Sequence, residues 1–353
     1  MGLYVDITKQ LDDFCLRVKF FMEENSAGVL GAPDCGKKIL FDCIAGVAQP
    51  DDGQIILDGR ILFDAEKDIA VSPQKRHIGY LLSGGALFPN MTVRQNILSG
   101  MRLQTNRAAR LKQLETMYDI FPLRAVEKLY PAQLSNVQKQ ETALARILAT
   151  KPRFLLLDEP FSTLDTAQRD TIQFRWQTIA EHLKLPTLWN ANHLEDVYGV
   201  CQQLYILDKG RVRRTGTAQE IFEEPDNIAA ARLTGCQNIA AARRIGNYEL
   251  EVPSWGVRLT AARPIPNTLH AVGIRSHSFQ IVHLDKLENL FPVFCTKMIE
   301  EPFTWRILFR FPNQSAEAPA LWWRVPKQQK PRQFPKVLGV ARQDVLLLCR
   351  PRR

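Results

Sequence analysis

The sequence predicts an α/β protein: a parallel-sheet domain that opens its strand ends to a ligand, followed by a small all-β domain. Three observations predict it. The turn Gly31-Ala32-Pro33-Asp34-Cys35-Gly36-Lys37-Lys38 follows the apolar pair Val29-Leu30 and leads into a helix-like run. The apolar run Phe154-Leu155-Leu156-Leu157 delivers two adjacent carboxylates, Asp158 and Glu159. Beyond Gly235 the chain changes to short strand-like runs separated by Pro, Gly and Asn.

Along the chain, Leu3 to Phe21 reads as a strand pair, with Phe14 as a core phenylalanine. The turn at Gly31 to Lys37 fits Gly-x-x-x-x-Gly-Lys, the P-loop. Its glycines let successive N–H groups point at phosphate oxygens, and Lys37 can reach a β- or γ-phosphate. The helix Lys38 to Ala45 presents its positive end to the same anion, an end that favours a Cys35 thiolate. Thr105 to Leu129 carries helical spacing at Leu111, Leu114, Met117 and Tyr118. The segment Leu134-Ser135-Asn136-Val137-Gln138-Lys139-Gln140 precedes a helical run, Ala143 to Leu148.

A four-residue apolar run fits a strand buried on both faces. It brings Asp158 to the sheet edge as a Mg²⁺ ligand and Glu159 as a group that orients or deprotonates water. Asp165 to Leu183 reads as an amphipathic helix, and Leu185 to Trp189 as the strand that leads to His193. Leu204 to Val212 is a hairpin turned at Lys209-Gly210, and Thr217 to Glu223 a short closing helix. After Gly235, short strands are expected at Tyr248–Val252, Val257–Thr260, His270–Ile274, Phe291–Met298, Trp305–Phe311 and Val345–Leu348. Trp322 and Trp323 are expected in that domain's core.

In this order the segments resemble the nucleotide-binding subunits of ABC transporters. That family runs through a P-loop, a glutamine loop, a Leu-Ser-Gly-Gly-Gln signature, an acidic strand, a D-loop and a switch histidine. The stretches Gln54 to Arg60, Lys75 to Tyr80 and Leu87 to Asn96 are most similar to importer ATPases of the molybdate/sulfate type. The resemblance implies an ATP-binding domain over 1–235, with a helical subdomain at about 90–150, and a β-rich accessory domain over 236–353. Val272 to His277 resembles the start of that accessory domain.

The resemblance further implies ATP and Mg²⁺ as cofactors. Gly31, Ala32, Pro33, Asp34, Cys35, Gly36, Lys37, Lys38 and Ile39 would hold nucleotide, with Ser83, Ser135 and Asp165. Asp158 would hold the metal, and Glu159 and His193 would be catalytic. The implied partners are a membrane permease, a second ABC ATPase in a homodimer or heterodimer, and indirectly an extracytoplasmic solute-binding protein. The implied place is the cytoplasmic face of the membrane.

Several positions depart from the family pattern. Lys38 stands where a Ser or Thr hydroxyl ligates Mg²⁺; an ammonium has no lone pair for a metal and repels one. Asp34 brings a carboxylate toward polyphosphate. Asn136 and Val137 replace the two signature glycines, Ser83 the glutamine, and Glu141 the arginine that ends the signature. These changes keep open an alternative: a catalytically impaired regulatory subunit beside an active ATPase.

At 353 residues two domains are expected, and a hydrophobic content of 45% is ordinary for a globular chain. No run has the length of a membrane span, and the N-terminal stretch lacks a secretory apolar core. Seven scattered cysteines without Cys-x-x-Cys spacing argue for a reducing compartment and against structural zinc. The net charge of +9 concentrates between Arg324 and Arg353 and reads as a solvated basic face, with attraction to nucleic acid or anionic lipid as the alternative. No zinc-finger or helix-turn-helix spacing accompanies it, so no nucleic-acid partner is expected.

Overall fold

A computed structural model describes residues 2–23, 26–102, 104–165, 168, 169, 172, 173, 175, 176, 179, 185–281, 289–331 and 333–350. The chain divides into two compact units, 1–218 and 219–353.

The first unit holds two sheets. In the antiparallel one, β1 (Gly2–Leu11) pairs with β2 (Phe14–Glu23) and β4 (Asp52–Leu57), and β5 (Arg60–Asp64) and β6 (Ile69–Ala70) extend it. Period-two alternation buries Leu3, Val5 and Ile7 of β1 and Leu16, Val18, Phe20 and Met22 of β2 on one face. The second sheet has the order β11-β10-β3-β9-β8-β7. Its strands are β3 (Ala27–Leu30), β7 (Ile78–Leu81), β8 (Phe154–Asp158), β9 (Thr187–Ala191), β10 (Gln203–Asp208) and β11 (Arg211–Gly216). All are parallel except the edge strand β11. Every residue of β3, β8 and β9 is buried, as expected for strands covered on both faces. The hairpin between β10 and β11 turns at Lys209 and Gly210, both at positive φ.

Helix α1 (Lys37–Ala45) shares one core with both sheets through Leu40, Phe41, Cys43 and Ile44. Its C-terminal carbonyls do not stand open: Arg76, in α2 (Pro73–Arg76), donates to Cys43 O and Ile44 O at 2.8 Å each. The helical segment follows as α3 (Val93–Ser99), α4 (Arg107–Ile120) and α5 (Asn136–Leu148). Helix α4 ends earlier than the spacing predicts because Phe121 precedes Pro122, which forces it out of the helical region. The helix expected at Asp165–Leu183 lies largely outside the described residues; those described from 168 to 179 are helical.

The helix Ala218–Glu223 starts at the boundary, and Ile228–Leu233 follows within the second unit. The sequence changes character at 235/236, whereas the compact units divide at 218/219. The reason is local packing: Ala231 joins Cys236, Ala271, Leu346 and Leu348 in one apolar cluster. Four three-stranded antiparallel sheets follow among the described residues. The expected strand Phe291–Met298 is two strands, Asn289–Pro292 and Phe294–Glu300. Val293 between them donates instead to Lys336 O at 2.9 Å. Strands Asn238–Ala241, Leu321–Pro326 and Val337–Val340 were not anticipated. Trp323 is in the core as expected, but Trp322 is only half-buried, with the Arg306 guanidinium 4.4 Å above its ring.

Candidate nucleotide-binding site

Strands β3, β9 and β8 are consecutive in the parallel sheet, so their C-terminal ends share one edge. That geometry gathers the turn after β3, the Asp158-Glu159 pair at the end of β8 and the Asn190 to His193 segment at and beyond the end of β9. Ligands of open parallel sheets bind at such an edge.

The turn after β3 is shaped by its glycines. A Cβ at Gly31 would stand 2.5 Å from Leu207 O, so the close approach of backbone there needs glycine. Gly36 sits at φ 105, which L side chains rarely adopt, and Asp34 at φ 59. Gly36 is the N-cap of α1 and supplies no side-chain cap, so the first-turn amides remain available to an anion. Lys37 is buried and folds back over the turn, donating to Gly31 O at 2.7 Å and Ala32 O at 2.8 Å. Ala32, Pro33, Asp34 and Lys38 are exposed, and Ile39 is half-buried. Phe14 packs on the core with its ring tip 2.8 Å from where a Gly36 Cβ would lie.

Cys35 departs from the expectation of a thiolate. It is buried, and burial pushes its thiol up; Lys37, with its Nζ 3.8 Å from Sγ, opposes without prevailing. Desolvation outweighs the helix end here.

At the end of β8, Asp158 is buried and accepts a hydrogen bond from Asn190 Nδ2 across the strand pair. Burial raises its carboxyl, while the Asn190 bond and the Lys38 charge act the other way. Glu159 is half-buried at φ 44, a left-handed conformation that costs a non-glycine residue about 1–3 kcal/mol. Its amide donates to Asn190 O at 3.1 Å, and its carbonyl accepts from Ser162 N at 3.1 Å and Ser162 Oγ at 2.9 Å. These bonds hold the carboxylate just beyond the strand. His193 is exposed at the neighbouring strand end. Asn190 and Asn192 each keep a buried amide oxygen without a partner. Sequence reasoning missed both, although two asparagines at period two before His193 were the available signal.

Ser135 and Asp165 belong to a second cluster. Ser135 caps α5 by accepting from Gln138 N at 3.2 Å, and Gln138 Oε1 accepts from Ser135 N at 3.0 Å. Asp165 likewise accepts from Gln168 N at 2.9 Å. Asn136 Nδ2 donates to Thr163 O at 3.1 Å, tying the start of α5 to the 162–165 turn. Glu141 is buried and paired with Arg175; burial raises its carboxyl and the guanidinium lowers it. Ser83 is exposed in the loop after β7.

The donor set does not fit a pre-built Mg²⁺ site. Position 38 offers an ammonium in place of a hydroxyl, and Asp158 is engaged by Asn190. Among the described residues, no group of three or more His, Cys, Asp or Glu side chains is placed to hold a metal.

A P-loop ending on a parallel strand, with an acidic pair on the next strand but one, defines a nucleotide-binding α/β cassette. Residues 17–162 match the ABC transporter family. The chain is 31% identical to the molybdenum import ATP-binding protein ModC of Rhodospirillum rubrum, over 69% of this chain and 66% of that protein. It is 36% identical to the sulfate/thiosulfate import ATP-binding protein CysA 2 of Chromobacterium violaceum, over 68% and 63% respectively. A CysA of Gloeobacter violaceus is 33% identical over 67% of this chain and 69% of the relative. The matched stretches thus span just under two thirds of the first two relatives' length. Among solved structures, cbiO1 of Clostridium perfringens superposes with a TM-score of 0.55 at 22% identity, over 63% of this chain and 91% of that one. This likeness shows the fold. The chain belongs to the ATP-binding subunits of the ABC transporter family.

Proposed function

We propose that the chain hydrolyses ATP as the energy-coupling subunit of an importer for a small tetrahedral oxyanion, molybdate or sulfate. The carrying observation is the convergence of the P-loop with Asp158 and Glu159 on one sheet edge. In this reading ATP draws Lys37 away from Gly31 O and Ala32 O toward its β- and γ-phosphates, while the α1 amides hold the rest of the anion. Glu159 orients and deprotonates the attacking water, and His193 contacts the γ-phosphate. Relatives named for molybdenum and sulfate/thiosulfate import support the solute class.

The proposed partners are a membrane permease, a second ABC ATPase whose signature completes the site, and indirectly a solute-binding protein. The proposed place is the cytoplasmic membrane face. No described helix is long and apolar enough to cross a membrane. Two adjoining grooves of about 470 and 450 Å³, sharing Gln104, Gln113, Lys151 and Pro152, offer a permease a surface beside the helical segment. The second unit is proposed as the accessory domain.

Phosphate release by the purified chain tests the assignment. Glu159→Gln is expected to lower turnover on the order of 10²–10⁴-fold while ATP binding persists. Unchanged turnover in that variant would remove Glu159 from the mechanism.

A further inference from the structure

We propose that Lys38 takes the place of the divalent cation, so that the site binds nucleotide free of metal. The inference rests on the nucleotide-site reading above and goes beyond it in the form of nucleotide bound. Its starting point is the mismatch already described between the donor set and Mg²⁺.

Lys38 lies in the first turn of α1, directly after the P-loop lysine, with its side chain exposed at the phosphate-facing end. Its ammonium pairs with Asp42 one turn on, at 3.3 Å. Asp42 is itself fixed by the Tyr80 hydroxyl, which donates to it at 2.9 Å. The cation is therefore tethered at its base by the helix and steadied at its tip by a placed carboxylate. A divalent ion at such a site would take carboxylate and phosphate oxygens as ligands. The Lys38 ammonium brings a positive charge, fixed to the chain, to the sequence position where the hydroxyl ligand is missing.

The chemistry favours one cation over both together. An ammonium offers three donors to phosphate oxygens and no lone pair to a metal. A divalent ion beside it would be repelled. Lys37 and Lys38 together bring two fixed positive charges to a polyphosphate whose metal is absent, and the α1 amides add the partial charge of the helix end.

Calorimetric titration of the full-length chain with ATP, once in EDTA and once in excess Mg²⁺, tests this. The wild type is expected to bind with Kd values within about twofold of each other in the two conditions. Lys38→Thr is expected to lose about tenfold in EDTA and to regain it in Mg²⁺, because the hydroxyl restores a metal ligand; tenfold corresponds to about 1.4 kcal/mol. Lys38→Gln, which restores neither charge nor ligand, is expected to be weak in both. Thermal melting checks that both variants fold. Wild-type affinity that rises tenfold or more with Mg²⁺, or a Lys38→Gln variant that binds metal-free ATP as well as wild type, would overturn the proposal alone. A wild type that binds no ATP in either condition overturns the nucleotide-site reading along with it.

Discussion

Helices α1 and α5 both begin in loops that the ABC family turns toward nucleotide, and they treat their first-turn amides in opposite ways. Helix α1 starts at Gly36, with no side chain to cap it. Helix α5 starts at Ser135 in a complete capping box with Gln138. The orphan donors of one helix are left for a ligand, and part of those of the other are satisfied within the chain. Side chains at 136 and 140 add to the closure, since Asn136 bonds Thr163 O and Gln140 approaches Thr163 Oγ1 at 3.5 Å. The P-loop end is therefore prepared for an anion by its own backbone. The signature end is built first as a stable helix start, and any part it has in a nucleotide site must come from what it still exposes.

The strongest way to break this contrast is Gly36→Ala. The φ of 105 and the Phe14 ring, 2.8 Å from the new Cβ, both oppose it. The strain, about 1–3 kcal/mol, falls on the turn that should hold phosphate. ATP affinity is expected to drop about tenfold or more by calorimetry, with the melting transition still cooperative. Retained affinity would show that the open α1 end is not the anion site.

Ser135→Ala probes the closed end. Loss of the cap is expected to cost about 1 kcal/mol of stability, while Ser135→Gly costs only a few tenths. Denaturant midpoints of the two variants check the difference, and equal midpoints would mean that the box contributes little here.

The smallest effect is expected from the joint change Asn136→Gly, Val137→Gly. Removing the Asn136 tether and the stiff Val137 side chain frees the α5 start for a partner's nucleotide. In a Glu159→Gln background, ATP-dependent dimerisation measured by light scattering should rise about threefold, equivalent to about 0.7 kcal/mol. No rise would show that the side chains at 136 and 137 are tolerated where they stand.

Much of the candidate site was legible in order along the chain. The P-loop reads from Gly31, Gly36 and Lys37 because a phosphate cradle has strict local demands on backbone shape. The acidic strand reads from a short apolar run ending in two carboxylates. Local signals went further astray where burial decided the chemistry. Cys35 looked like a thiolate beside a helix end, and its buried setting raises its thiol instead. Glu141 looked like a charge reversal in the signature, and a buried pairing with Arg175, 34 residues away in sequence, accommodates it. Neither the burial nor the partner leaves a mark in the residues nearby.

The sequence by itself determined the order of the elements, the glycine-dependent turn, the Ser135 cap, and the division into a parallel-sheet part and a β-rich part. Each depends on residues within a turn or two of one another, where backbone sterics and short-range hydrogen bonds act. Only the tertiary structure decided that β9 lies between β3 and β8. That placement sets Asn190 against Asp158, fixes Glu159 through Asn190 O, and brings His193 to the edge that holds the P-loop. Strand neighbours in a parallel sheet are joined by crossovers through other elements, and the pairing is chosen by packing on both faces of the sheet. No local pattern carries that choice.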